Sequence, residues 1–306
     1  MSPAGCGYNP ETMKRLGLVG VGLLGSAVAS RLLARGFEVT GYDTRREQLD
    51  ALTASGLRAA RSVTEALAEA DAVITILTTP AVVEAVWLGA DGILATAPKT
   101  AVLMQMSTVS PALNTRLGDE AARRGFRFLE TPVSGTSTAV MKGGGTILVG
   151  GDAALVEVCM PIFDAIAAKT VHVGAVGAGA VAKLAANLVG GLSAIALAEA
   201  LVLGAKAGVA PATLLEALKQ SPVRSSAMET RGPLMVRHEF PPHIRLDLYL
   251  KDFALMLDEG KRLGVPMPLT SVAHQLCTAT SAAGRGDEDL AVVITTLEYL
   301  AGMRSS

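Results

Sequence analysis

From residue 14 onward the apolar positions change period at short intervals. Arg15–Val19 is a short apolar run of strand length, and Gly20-Val21-Gly22-Leu23-Leu24-Gly25 follows it directly. Residues 26–34 then carry apolar side chains at helical spacing, with Val28, Leu32 and Leu33 on one side and Gly36 ending the helix. Glu38–Tyr42 reads as the next strand. Further apolar runs at 72–77, 101–105 and 127–129 alternate with helical segments such as 62–70 and 111–124, the latter opening on Pro111. Strands separated by helices of this length imply an α/β fold with a parallel, doubly wound sheet.

After about Gly174 the alternation stops. Residues 178–208 carry one long helical pattern, and helical pieces follow at 211–220, 248–263, 269–283 and 290–300. A domain boundary is therefore expected at 173–179, where Gly174, Gly177 and Gly179 loosen the chain. That gives an α/β domain over 14–174 and an all-helical domain over 175–306, joined by the long helix. Residues 1–13 read as a polar leader without periodicity.

Composition narrows the class. A chain of 306 residues has room for two cores, and its charged fraction of 18% suggests close-packed helices and a buried subunit interface. The net charge of −1 makes no case for nucleic acid or an anionic membrane as partner. Cys6, Cys159 and Cys277 are scattered, without metal-ligand spacing, which favours a reducing, cytoplasmic setting over a disulfide framework. The least charged stretch, 184–198, falls short of the roughly 20 apolar residues a membrane span needs. It is also interrupted by Asn187, Gly190, Gly191 and Ser193, so it reads as a buried helix of a soluble protein. His172, His238, His243 and His274 have no spacing suited to a metal or a nucleophilic triad. Trp87 and the eleven methionines read as packing residues.

The glycine hexamer carries the first chemistry. It lies between a strand and a helix, and Asp43 closes the next strand at a spacing of about 20 residues, where an acid meets a ribose diol. Gly20 permits the tight turn, Gly22 lets the backbone reach a pyrophosphate, and Gly25 lets helix and strand pack closely. The helix start offers N–H groups and positive dipole to the phosphates. This is the Rossmann pattern of an NAD(P) site, with Gly20, Gly22, Leu23, Leu24, Gly25, Asp43, Thr44 and Arg45 as candidate cofactor residues. Asp43 should repel a 2′-phosphate and so favours NAD, while Arg45 and Arg46 leave NADP open.

Two polar groups follow. Ser134, with the backbone N–H groups near Gly135, suits a carboxylate, although the same residues make an ordinary Ser-Gly turn. Lys183 and Asn187 are four apart and share one face near the start of the long helix. A lysine there either snorkels to water or is kept buried for proton transfer.

Together these segments resemble the β-hydroxyacid dehydrogenases, which include 3-hydroxyisobutyrate dehydrogenase and tartronate semialdehyde reductase. Glu130-Thr131-Pro132-Val133-Ser134-Gly135-Thr136 is similar to the family's D-A-P-V-S-G-G loop, and Ser107-Thr108-Val109-Ser110-Pro111 to its S-T-x-x-P turn. The run from Gly174 to Gly179, followed by Lys183 and Asn187, and then Lys251-Asp252, complete the likeness. Thr136 stands where the family has a second glycine, Ala186 where it has an asparagine, Gln105 where aspartate is usual, and Thr78 in place of a proline.

The resemblance implies Lys183 as the acid/base residue, and Ser134, Gly135, Thr136 and Asn187 as the substrate-binding set. It adds Leu77, Thr78, Thr108 and Lys251 to the cofactor residues, while Asp252 reads as serving a helix start, where an acid is favoured. The implied substrate is a small β-hydroxy acid or semialdehyde, lying between the two domains. A homodimer or homotetramer is expected, because the Ala/Gly-rich helix exposes more apolar surface than one domain covers. Two other readings stay open: an imine reductase of the same architecture, and a non-catalytic dinucleotide-binding module.

Overall fold

The computed structural model describes residues 13–303, so Cys6 and all of the expected leader but Met13 lie outside it. The chain divides into two compact units, one ending at Lys183 and one beginning at Leu184. The first is built on a single sheet. Its strands are β1 (Arg15–Val19), β2 (Glu38–Tyr42), β3 (Arg58–Ala59), β4 (Ala72–Thr75), β5 (Val102–Gln105), β6 (Arg127–Glu130), β7 (Val133–Ser134), β8 (Thr146–Gly151) and β9 (Lys169–Gly174). Their order is β3-β2-β1-β4-β5-β6-β8-β7, with β9 on β8.

From β3 to β6 every pairing is parallel, and the strand order reverses at β1. Ligands of open α/β sheets bind beyond the carboxyl ends of the strands at such a reversal. Strands β4 and β5 are buried along their whole length, as expected where helices cover both faces. Alternate residues feed two cores: Leu16, Leu18, Ile74 and Met104 on one side, Val19, Val73 and Leu103 on the other.

The far edge departs from the all-parallel expectation. Strand β8 runs antiparallel to β6 and β7, turned back by Gly143 and Gly145 at φ +78° and +90°. The hydrophobic pattern marks no strand in this stretch, because its glycines hide it. Since β9 pairs parallel with β8 and Gly174 sits opposite Gly150, which itself faces Glu130, the chain leaves the sheet level with the end of β6.

The long helix Ala178–Lys206 begins at that exit. By length and composition alone it could cross a membrane. In the second unit, however, its Ala194, Leu197, Ala198 and Leu201 are buried in a helical core. Gly191 is required there: a Cβ would lie 2.6 Å from Tyr249 and 2.8 Å from Phe253, both on the helix Leu246–Leu263. Asp289 is fully buried beside Arg231 Nε at 3.1 Å and also accepts the His243 and Ile244 N–H groups. Removing one partner of such a pair would strand a buried charge. The piece expected at 269–283 is a helix, Pro268–Thr280, closed by a wide turn in which Gly284 adopts φ +85°.

Trp87 is a packing residue, as its surroundings in the sequence imply. It is fully buried, its Nε1–H donates to Thr75 Oγ1 at 3.2 Å, and its ring meets Phe128 edge-on. Trp87→Ala should cost about 3–5 kcal/mol of stability, read as a lowered denaturant midpoint of the first unit.

Candidate active site at the carboxyl edge of the sheet

The glycine loop is held by backbone contacts that leave no room for side chains. Gly20 has φ +97°, donates its N–H to Tyr42 O at 2.8 Å, and a Cβ on it would lie 2.1 Å from Ile76 O. A Cβ on Gly25 would lie 2.1 Å from Gly20 O, so the helix Leu23–Ala34 packs directly on the turn. Gly22 differs. A Cβ there would meet only Arg45 Nη2, at 3.5 Å, and the helix start it occupies has no side-chain cap. An open approach to an uncapped helix N-terminus fits a dinucleotide pyrophosphate.

Asp43 is tied into this loop more closely than its spacing implied. Its Oδ2 accepts the Val21 N–H at 2.8 Å and its Oδ1 accepts the Arg45 N–H at 2.9 Å. A carboxylate keeps further acceptor sites after two such bonds, so ribose hydroxyls remain compatible. Arg45 Nε stands 3.5 Å from Asp43 Oδ1, which brings a positive group to the same corner, and Thr44 is exposed beside it. Leu77 donates its N–H to Ser107 Oγ at 2.8 Å, linking the turns after β4 and β5; Thr78 is exposed and Thr108 half-buried.

Ser134 ends β7, opposite Thr146, and Gly135 passes close to Gly145, where a Cβ would lie 3.1 Å from the Gly145 Cα. The Thr136 hydroxyl accepts the Ala139 N–H at 3.2 Å and caps the short helix Ser137–Met141. That helix packs against Leu23–Ala34, bringing the serine segment to the glycine loop. The residue standing in the place of the family's second glycine is thus also a helix cap.

A chain of buried polar residues behind these turns was missed in the sequence. Gln105 Nε2 donates to Ser107 O at 3.0 Å and to Asn114 Oδ1 at 2.7 Å, and Asn114 Nδ2 donates to Glu130 Oε2 at 2.6 Å. Glu130 Oε1 accepts the N–H groups of Gly177 and Gly179 at 2.7 and 2.5 Å, at the start of the long helix. Gln105, Asn114 and Glu130 are all fully buried. Burial pushes the Glu130 carboxyl above the usual glutamate range, against the pull of its Gly179, Asn114, Gly177 and Ala180 donors. Asn114 lies among Leu113, Leu117 and Ala121 on the apolar face of its helix, and a polar residue in such a stripe was the available signal.

One turn beyond Gly179, Lys183 is buried, at 7% exposure. Asn187, a turn further, donates from Nδ2 to Asp252 Oδ2 at 2.7 Å, and its backbone oxygen accepts the Tyr249 hydroxyl at 3.1 Å. Burial raises the Tyr249 pKa to about 12, so it serves as a neutral donor. Lys251 Nζ lies 3.1 Å from Asp252 Oδ1 without the alignment of a hydrogen bond. Asp252 does not serve a helix start. The helix begins at Leu246, Asp247 supplies the acid of its first turn, and Asp252 points inward to hold Asn187.

Residues 15–174 match the family described as the NAD binding domain of 6-phosphogluconate dehydrogenase. Residues 177–297 match the NAD-binding family of NADP-dependent 3-hydroxyisobutyrate dehydrogenase. The chain is 34% identical to 2-(hydroxymethyl)glutarate dehydrogenase of Eubacterium barkeri, over 97% of this chain and 99% of that one. The chain belongs to the β-hydroxyacid dehydrogenase family. A solved relative of this β-hydroxyacid dehydrogenase is Mycobacterium tuberculosis 3-hydroxyisobutyrate dehydrogenase with L-serine, at 31% identity and TM-score 0.83 over 94% of this chain and 99% of that one. An imine reductase from Pseudomonas shares the fold at 20% identity and TM-score 0.62, over 94% of this chain and its whole length. The β-hydroxyacid dehydrogenase described here is thus an NAD(P)-dependent oxidoreductase.

Gly25→Ala should weaken NADH binding by at least about 10-fold, because the new methyl meets backbone and the helix must retreat from the phosphates. Fluorescence titration of NADH against the folded variant would read the change.

Proposed function

We propose that this chain interconverts a small β-hydroxy acid and its semialdehyde, with Lys183 as general acid/base. The observation that carries the reading is the burial of Lys183 one turn beyond a helix start anchored by Glu130. A lysine amine held inside the protein, on the helix face it shares with Asn187, suits proton transfer. Both the M. tuberculosis relative's L-serine and the E. barkeri relative's 2-(hydroxymethyl)glutarate carry a hydroxymethyl group on the carbon bearing a carboxylate. That shared chemistry supports the substrate class over an imine.

Gly20, Gly22, Leu23, Leu24, Gly25, Asp43, Thr44 and Arg45 would hold the adenosine and pyrophosphate, with Leu77, Thr78, Thr108 and Lys251 nearer the nicotinamide. The dinucleotide, when bound, supplies or accepts hydride. In the oxidising direction the Lys183 amine takes the proton of the substrate hydroxyl. In the reducing direction its ammonium returns that proton to the carbonyl oxygen. Ser134 Oγ and the N–H groups around Gly135 and Thr136 hold the carboxylate, and Asn187, fixed by Asp252, orients the reacting end. Asp43 supports a preference for NAD, tempered by Arg45 at the same corner.

We read the protein as a cytoplasmic homodimer or homotetramer that uses neither nucleic acid nor membrane. The exposed Val189 and Leu203 of the long helix support self-association, as does an apolar groove of about 760 Å³ lined by Val272, Leu276, Tyr299 and Leu300.

The test is absorbance at the NADH band across β-hydroxy acids, semialdehydes and one cyclic imine, each with NAD(H) and NADP(H). Turnover confined to the carboxylate substrates supports the reading, and turnover of the imine alone overturns it. Cofactor binding with no turnover at all would point to a non-catalytic module. Lys183→Ala should lower kcat by at least ~10² with cofactor affinity nearly unchanged, and retained turnover would remove the assignment.

A further inference from the structure

The buried chain from Ser107 to the long helix has a direction. Glu130 accepts at both oxygens, from the two helix N–H groups and from Asn114, so Asn114 presents its Nδ2 to Glu130 and its Oδ1 to Gln105. Gln105 must then present its Nε2 to Asn114 and Ser107 O, leaving Oε1 to accept the Ser107 N–H. No amide in the series can flip without setting donor against donor or acceptor against acceptor inside the protein. One end of the series holds the turn whose Ser107 hydroxyl receives the Leu77 N–H. The other holds the Gly177 and Gly179 N–H groups, and Gly179 lies one turn below Lys183 on the same helix face. There is no slack for rearrangement. A Cβ on Gly150 would lie 2.1 Å from Glu130 Oε1, and one on Gly179 would lie 2.9 Å away.

We propose that Gln105, Asn114 and Glu130 act as one positioning unit, whose fixed direction holds the Ser107–Thr108 turn and the Lys183 helix in the register the reaction needs. None of the three needs to touch substrate. They act through the turn and through Lys183, so the proposal rests on Lys183 as the acid/base. A misplacement of about 1 Å in such a site can cost about 10²-fold in rate.

The direction can be reversed with isosteric changes. In Glu130→Gln the new amide still accepts the helix N–H groups, but its NH2 faces Asn114 Nδ2. Flipping Asn114 moves the conflict to Gln105. Gln105→Glu removes that conflict with a protonated carboxyl: the oxygen that takes the place of Nε2 accepts from the flipped Asn114 and donates its O–H to Ser107 O, while the other accepts the Ser107 N–H. The double variant therefore rebuilds the chain in the opposite sense, and each single variant leaves it broken.

The experiment measures kcat, KM and NADH affinity for wild type, E130Q, Q105E, E130Q/Q105E and K183A, with circular dichroism as a check on folding. Each single variant should lose at least about 10-fold in kcat, with KM and NADH affinity within about threefold of wild type. The double variant should recover to within about threefold of wild-type kcat. Wild-type kcat in the singles, or a double variant no better than the worse single, overturns the proposal. Should the singles not fold, the double variant decides alone: folded and active supports the unit, unfolded or inactive overturns it. Turnover in K183A would instead sink the Lys183 reading, whereas failed rescue with K183A inactive sinks only the positioning unit.

Discussion

A carboxylate with no solvent to receive it sets the terms for the first unit. Glu130 ends β6 in full burial, and the groups that satisfy it are the Asn114 amide and the opening N–H groups of the long helix. The helix needs an acceptor at its positive end, and the acid needs donors to stay buried. Each requirement meets the other, so the point where the chain leaves the sheet and the point where the long helix starts are one location. Lys183 inherits its place from that junction.

The rest of the candidate site is assembled on the same edge by close backbone approach. Gly20 and Gly25 let the first helix rest on the turn after β1, and Asp43 crosses from β2 to hold Val21. The antiparallel β8 contributes differently. By folding back beside β6 it brings β9 to Gly150 and so delivers the chain to Glu130. Farther along, Gly191 admits Tyr249 and Phe253 against the long helix, and Tyr249 and Asp252 then grip Asn187 from one neighbouring helix.

Much of this was legible in the residues. Strands β1 and β2 were read with their observed ends, since short apolar runs beside glycines have little else to become. The Gly20–Gly25 turn and the start of the long helix near Ala178 were equally plain. What the sequence hid was tertiary in origin. Strand β8 is half glycine in its surroundings, and its pairing depends on a turn at Gly143–Gly145 that carries no hydrophobic period. Asn114 and Glu130 look like ordinary polar residues until a partner many residues away buries them. Asp252 was misread because local rules favour an acid at a helix start, and its inward bond to Asn187 is a long-range fact.

Direction in the Gln105–Asn114–Glu130 chain bears on how such a protein can change over generations. The related loop begins with aspartate where this chain has glutamate, and the related turn has aspartate where this chain has Gln105. A shorter acid at 130 would leave the helix N–H groups unreached, while an acid at 105 would press against Asn114 Oδ1. Substitutions at these sites are therefore conditional on one another, and a lineage moving between the two arrangements one residue at a time passes through a stranded buried group. The three positions constitute a single heritable character, with history rather than present chemistry deciding which of its consistent forms a given descendant carries.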